Sequence, residues 1–338
     1  MSPADLTPGR KVANGARWVA LALSAGLWAA LSLCYWGQPD ACAAITLWPP
    51  WVWLAPGLLL AGLGWSRPGK RIASVIALLW LVYLLAFVEE PRSLLRFRWG
   101  PSSEWQAARQ RRQALRVVSL NCAAGNQDAA AEVERWQPDI ALLQEAPVRR
   151  DTEALACRLF GRQAAVVWGG DVAILARGTV FPTPPPRALR AFLAQGRVRL
   201  TTGSEVEVIS IHLLPPVFRT DLWSAACWRD LAANRQARRE QVQALAQQIA
   251  RLPGSAPLIV GGDFNAPAGD AVFRLLAPRL HDAFGEGGMG WGNTVLNDMP
   301  LSRIDQVWIS EHFRAPAVTA RKTRHSDHRM VICDLVVR

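Results

Sequence analysis

Hydrophobic and polar positions divide this chain into two regimes. Up to residue 88 the apolar positions form long unbroken runs: 18–39, 41–66 and 72–88 carry no charged residue over 22, 26 and 17 positions. A helix rising ~1.5 Å per residue needs about 20 apolar residues to cross ~30 Å of hydrocarbon. The first run meets that length and the third sits at its lower limit. The second contains Pro49, Pro50 and Pro56, which predict a kink or a late start. These runs predict a membrane region over residues 1–88 with about three transmembrane helices, at 18–39, 44–65 and 72–88. A cleaved signal peptide competes for the first run, since Arg10, Lys11 and Arg17 precede it and Ala41 and Ala43 resemble a cleavage site. Cleavage there leaves two apolar runs in place.

From residue 115 onward the pattern changes to short β-branched runs, at 115–120, 140–144, 164–167, 172–175, 206–211, 258–260, 306–309 and 330–336. Helix-like stretches at 129–136, 234–252 and 271–276 separate them. In the longest, Val242, Leu245, Ile249 and Leu252 recur at spacings of 3 and 4, giving one buried stripe. Arg235, Arg238 and Arg239 on it read as a solvated face. Many strands with few helices predict an α/β domain over 115–338, with two packed mixed β-sheets flanked by helices. Residues 89–114 read as an Arg-rich linker with Pro91, Gly100 and Pro101. Within it, 106–113 is compatible with a short basic helix on anionic headgroups or with a solvated connector.

Composition narrows the class. A length of 338 residues suggests about two structural units; 51% hydrophobic content with 19% charged residues excludes a disordered chain. The six cysteines show no C-x-x-C, so neither a zinc site nor a disulfide framework is indicated. Cys34 and Cys42 are a candidate pair in an oxidising compartment, while Cys122 and Cys333 read as small buried hydrophobes. The net charge of +11 is unevenly placed: residues 1–114 hold 12 basic and 5 acidic side chains, residues 115–338 hold 26 and 22. The domain therefore lacks the strongly basic stripe of a tight duplex binder.

Short-loop charge predicts orientation. Arg10, Lys11 and Arg17 precede the first run, and Arg67, Lys70 and Arg71 separate the second from the third, so both segments are assigned to the cytoplasm. Three spans then place the domain on the periplasmic or extracellular side of a bacterial inner membrane; two would place it inside.

The candidate chemistry lies at strand ends. Asn121 ends the first strand, Gln144 and Glu145 the second, and His212 follows 208–211. Asp263 and Asn265 follow an apolar run, Asp305 begins another strand, and Asp327 and His328 begin the last. Glu145, Asp327 and Asn121 are hard oxygen ligands suited to Mg²⁺ or Mn²⁺ and poor for zinc. Asp263 is placed to orient or deprotonate a water, Asn265 to stabilise developing charge, and Asp305 to polarise His328. No G-x-S-x-G, H-E-x-x-H or phosphate-loop motif is present.

Ser119-Leu120-Asn121, Leu142-Leu143-Gln144-Glu145, Ile211-His212-Leu213, Gly262-Asp263-Phe264-Asn265, Arg303-Ile304-Asp305 and Ser326-Asp327-His328 together resemble the endonuclease/exonuclease/phosphatase superfamily in order and spacing. The resemblance implies a four-layer α/β sandwich and Mg²⁺-dependent phosphoester hydrolysis. It implies Glu145 as the main metal ligand with Asn121 and Asp327 nearby, and Asp263, Asn265, Asp305 and His328 as catalytic groups. His212 resembles the general-acid histidine of the deoxyribonuclease and sphingomyelinase branches. Two positions depart from the pattern: Gln306, which would alter the pocket wall, and Asp171, an extra polar group near the site or, the favoured reading, a strand-start residue. His281, His312 and His325 read as structural or surface histidines, Asp282 as a loop cap, and Asn293 and Thr294 as candidates for the site rim. The segment 215–228, with Phe218, Trp223 and Trp228, is an insertion that contacts lipid or substrate, or packs on its own domain.

The sequence thus predicts a membrane-anchored, divalent-metal-dependent phosphoester hydrolase acting on a lipid headgroup, a nucleic acid or a small phosphate ester, with no obligate protein partner indicated. A nuclease on the secreted face and a catalytically silent membrane module that keeps the fold are the alternatives.

Overall fold

The computed structural model describes residues 8–338 apart from 67, 101, 202 and 278, and describes no side chain for 8–13 and 188. Arg67 therefore lies outside the described residues, as do the side chains of Arg10 and Lys11. The N-terminal region comprises α1 (Pro8–Gly37), α2 (Ala43–Thr46), α3 (Leu54–Leu63) and α4 (Lys70–Phe87). Within α1, Asn14–Gly37 is long and apolar enough to cross a membrane, and so is α4. The second apolar run is broken: Asp40–Thr46 and Pro50–Leu63 meet at 72°, the outcome its prolines predict.

Side-chain contacts fix how these helices run. Ser24 donates to the Gly57 carbonyl (2.7 Å) and accepts from Trp80 Nε1 (3.1 Å), while Trp28 Nε1 reaches the Leu79 carbonyl (2.9 Å). Further along α1, Tyr35 donates to the Trp48 carbonyl (2.7 Å) and stacks near Tyr83 and Phe87. Later residues of α1 thus meet later residues of α4, so the two helices run parallel and α3 returns between them. The C-terminal ends of α1 and α4 consequently share one side.

The domain is a sandwich of two sheets. Its strands are β1 (Ala114–Asn121), β2 (Ile140–Gln144), β3 (Ala164–Trp168), β4 (Val172–Pro182), β5 (Leu193–Leu200), β6 (Glu205–His212), β7 (Leu258–Asp263), β8 (His281–Asp282), β9 (Asp305–Ile309), β10 (Phe313–Arg321) and β11 (Met330–Val337). The first half of β4 closes one sheet, in the order β10-β11-β1-β2-β4-β3; its second half opens the other, β4-β5-β6-β7-β9-β8. The switch falls at Gly178, whose φ of 143° and close approach to the Arg199 carbonyl exclude a side chain.

Strand alternation builds the layers. Leu115 and Val117 of β1 face Val206 and Val208 of β6 in the core between the sheets. Val118 and Leu120 point outward against the helices α7 (Gln127–Ala131) and α8 (Arg149–Phe160), whereas Ile209 and Ile211 pack on α9 (Ala225–Ala250). The result is the four-layer α/β sandwich that the resemblance implied. Among the described residues of the domain, three strands and two helices escape the sequence reading: β5, the two-residue β8, β10, α8 and α10 (Ala283–Gly287).

Residues 89–114 are not a free connector. They form α5 (Glu90–Leu95) and α6 (Ser103–Gln110), and Trp105 and Ala108 are buried on the domain. Arg303, buried, takes both carboxylate oxygens of Glu89 (2.8 Å each) and of Asp282 (3.1 and 2.6 Å) while lying over the Phe284 ring at the start of α10 (Ala283–Gly287). Asn293 donates to Glu90 (2.8 Å). On the other side of the contact, Arg235 and Arg238 are buried rather than solvated. Arg235 donates to Gln38 (2.9 Å) and Asp270 (2.9 Å), and Arg239 pairs with Asp40. The domain is therefore clamped to the ends of both long apolar helices.

Two stability predictions follow from these contacts. A Cβ on Gly262 (φ 144°) would meet the Ile211 carbonyl oxygen at 2.0 Å. Gly262→Ala is expected to cost about 3 kcal/mol and to lower the melting temperature of the purified chain by roughly 6–12 °C. Burial pushes the Glu90 carboxyl above its ordinary range, with the Asn293 hydrogen bond opposing. A carboxyl raised in the folded state binds its proton more tightly there, so its contribution is present at low pH and lost as pH rises through the folded-state value. Glu90→Gln keeps an acceptor for Asn293 and is expected to raise the melting temperature at pH 8 but not at pH 4; equal shifts at both would contradict this.

Candidate active site

Strand direction explains why the polar residues meet. β1 runs parallel to β2 and β6 parallel to β7, so each sheet ends a parallel pair at one rim of the sandwich. Asn121 ends β1 opposite Gln144, and His212 ends β6 opposite Asp263. The antiparallel neighbours start where these strands finish: Asp305 begins β9 opposite Asp263, Asp171 precedes β4, and His328 precedes β11. Termini of one direction and starts of the other thus converge.

On the first sheet, a left-handed turn at Ala123 (φ 48°) and Ala124 (φ 57°) aims backbone amides at the site. Ala123 N–H donates to Asn121 Oδ1 (3.0 Å) and Ala124 N–H to the Glu145 carboxylate. The Asn121 amide then presents its NH₂ inward, bridging Glu145 Oε1 (3.0 Å) and Asp263 Oδ2 (3.2 Å). Glu145 itself adopts φ 45°, and Asn265 φ 50°; such strain in non-glycine residues concentrates at functional sites. Asn265 N–H caps Asp263 Oδ1 (2.8 Å), and its side chain is held by the Leu213 carbonyl (2.8 Å).

Asp263 lies between two histidine–carboxylate pairs. His328 Nδ1 meets Asp305 Oδ2 at 2.8 Å, and His212 Nδ1 meets Asp171 Oδ2 at 2.5 Å, with His212 Nε2 3.8 Å from Asp263. One ligand atom from each of Asp263, Asp305 and His328 lies within 4.8 Å of the others. Burial, reinforced by the Asp305 charge, pushes Asp263 up to about 6 despite the two imidazoles. Burial pulls His328 down, but Asp305, with Asp263 and Asp327, outweighs it and raises it to about 10. His212 is also raised: its burial is overcome by the hydrogen bond it donates to Asp171 and by the charge of Asp263. At neutral pH His328 is thus held as an imidazolium beside a carboxylate basic enough to exchange a proton, and the pairing with Asp171 favours the protonated form of His212.

The donor set fits a hard divalent cation. Glu145 and the solvent-exposed Asp327 offer carboxylate oxygens, and Asp305 Oδ1 is buried with no hydrogen-bond partner; oxygen-only donors suit Mg²⁺ or Mn²⁺. All eight residues singled out in the sequence lie on this rim. Asp327 enters through its place beside His328 rather than through a side-chain contact.

Asp171 is more than a strand-start residue, because it holds His212. Its own side chain gives no sequence signal for this; the only clue was a charge at the start of a buried strand. Asn293 and Thr294 do not line the site. Thr294, fully buried, accepts from the Ile304 and Asp305 amides (3.2 and 3.1 Å) and so fixes the start of β9. Ser326 has a similar role, donating to the Asn121 carbonyl (2.7 Å) and accepting from His328 N–H (3.0 Å). Gln306 is buried, donating to the Ala266 carbonyl and accepting from Trp308 Nε1.

Comparison with known proteins bears on the fold and the family. A crystal structure of an endonuclease/exonuclease/phosphatase family protein from Bacteroides thetaiotaomicron is 17% identical, covering 67% of this chain and 98% of its own, with TM-score 0.52. One from Bacteroides vulgatus is 14% identical, covering 67% and 99%, with TM-score 0.52. Zebrafish (D. rerio) TDP2, solved with a single-strand DNA product, aligns with TM-score 0.48 at 16% identity over 66% of this chain and 98% of its own. No curated protein matches the chain in sequence. The sequence model of the Endonuclease/Exonuclease/phosphatase family matches residues 118–328, from the first strand of the sandwich to His328 itself. That match covers more than half of the sequence, and this chain belongs to the endonuclease/exonuclease/phosphatase family.

Proposed function

We propose that the protein is a membrane-anchored, divalent-metal-dependent phosphoester hydrolase, with its catalytic domain on the outer face of a bacterial inner membrane. The observation that carries this reading is the buried Asp263 set between the His212–Asp171 and His328–Asp305 pairs. A fold-keeping but silent module has no need to hold a buried carboxylate between two histidines.

In this reading Asp263 orients a water and accepts its proton as the water oxygen bonds to phosphorus. The ester P–O bond opposite breaks, and the leaving oxygen takes a proton from His212, held for the task by Asp171. His328, kept charged by Asp305, donates to a phosphoryl oxygen, as does the Asn265 amide. Glu145 and Asp327 hold the divalent cation, with Asn121 locking the Glu145 carboxylate in place. The cation, when bound, neutralises charge on the phosphate.

Sidedness follows from parallel α1 and α4. Arg17 near the start of α1 and Lys70 and Arg71 at the start of α4 share one side. The positive-inside rule assigns that side to the cytoplasm and the domain to the other.

The full chain in detergent, assayed on model phosphate diesters and monoesters, is expected to turn over with Mg²⁺ or Mn²⁺ and to stop with EDTA. Asp263→Asn should lower kcat by about 10²–10⁴-fold, and Asn265→Ala by roughly 10²–10³-fold. Undiminished turnover in either, or in EDTA, would overturn the mechanism. Asp171→Asn removes the partner that raises His212. Because the general acid must be protonated, the alkaline limb of the pH–rate profile should move to lower pH; an unmoved limb would remove Asp171 from the site.

A further inference from the structure

An apolar cleft of about 340 Å³ opens from the candidate site toward the membrane region. One wall is Leu47 and Trp48, from the break between α2 and α3; the facing walls are Phe218, from the insertion after His212, and Leu296 and Leu301. Asn265, whose backbone N–H is bonded to Asp263, also lies on its lining. The cleft therefore touches the rim at Asn265 and reaches the segment that follows α1, where the Trp48 carbonyl accepts from Tyr35.

Its volume lies in the range of small-molecule sites, which are mostly apolar with a few polar groups at one end. Phe218 and Leu296 are 79% and 48% exposed, and apolar surface left open in this way marks a ligand groove or a membrane contact. Arg219, the one cation on the lining among the described residues, is already paired with Asp221 and Asp230. A nucleic acid would find no row of free cations here, and a small soluble ester would leave the cleft unfilled. The insertion is itself fastened to the membrane side, where Leu222 and Trp228 pack on Ala43 and Ala44 of α2.

We propose that this cleft holds the hydrocarbon chain of a lipid phosphoester, whose phosphate lies at Asp263 and Asn265. The proposal rests on the hydrolase reading above and narrows its substrate class. The lipid slides from the bilayer past Trp48, so that its ester reaches the rim without leaving the apolar surface.

The test uses the full chain in phosphatidylcholine nanodiscs with Mg²⁺, titrated calorimetrically with octylphosphonate and methylphosphonate against protein-free discs. Octylphosphonate is expected to bind at least about tenfold tighter, because its methylenes leave water. Leu296→Asn and Phe218→Ser should each reduce that preference to less than about threefold. Leu296 sits at φ 64°, a conformation asparagine adopts readily, and Phe218 is exposed, so both variants keep the fold; unchanged melting temperatures check this. Equal affinity for the two phosphonates, no binding of either, or a preference untouched by both substitutions overturns the proposal. A parallel assay on methyl and octyl nitrophenyl phosphate diesters separates the two readings. Turnover of both esters with equal kcat/KM and no binding preference leaves a hydrolase without a lipid subsite. A binding preference with no turnover of either leaves a lipid-phosphate site and removes the hydrolase.

Discussion

Chain direction is the constraint on which the rest depends. Each sheet contains one parallel pair, β1 with β2 and β6 with β7, and both pairs finish at the same rim. The strands beside them are antiparallel and so begin there. Register does the remainder: His212 faces Asp263, and Asp263 faces Asp305, in three adjacent strands. Because side chains alternate, a slip of one residue in any of them would turn its polar end group into the core or away from the site. The apolar layers that fix the register are thus what places the chemistry.

Buried charge is tolerable here because it is shared. Asp263, Asp305 and His328 are almost entirely removed from water, a state that costs several kcal/mol per unpaired ion. Alternating carboxylate and imidazole offsets that cost and leaves each group shifted toward use. The same economy recurs at Arg303, which sits between Glu89 and Asp282. Two residues later comes Asp305, and Thr294 ties Ile304 and Asp305 to the strap that carries Asn293. The contact with the N-terminal helices and the polar rim are therefore built on one stretch of backbone.

Much of this was legible in the sequence, for physical reasons. Strands buried on both faces, such as 140–144 and 258–260, read as continuous apolar runs, and the polar residues that end them stand out. β10 did not, because Pro316 lies within it, where the register shifts between Arg314 and Ala317; proline argues against a strand except at such an irregularity. β5 carries Gln195, Arg197 and Arg199, and the two arginines donate across the pair to the buried Glu207 and the half-buried Glu205. α8 has Thr152, Leu155, Ala156 and Phe160 at helical spacing, a stripe short enough to pass unnoticed. Asp171 and the docked segment 89–114 depend on contacts between residues far apart in the chain, and no local pattern encodes those. Arg235 and Arg238 looked solvated for the same reason: their partners, Gln38 and Asp270 for one and the Leu214 carbonyl and Asn234 for the other, are supplied by the fold.

The clamp between domain and helices has a kinematic consequence. A domain on a flexible tether explores a hemisphere whose radius grows with linker length. Here Arg303 and Arg235 grip the chain at the ends of α4 and α1, leaving no slack between anchor and sandwich. With the bundle in a bilayer, the catalytic rim rides at one fixed height and tilt. Its search for substrate is then confined to lateral diffusion within a thin sheet of space at the membrane surface, and whatever it acts on must come to that altitude.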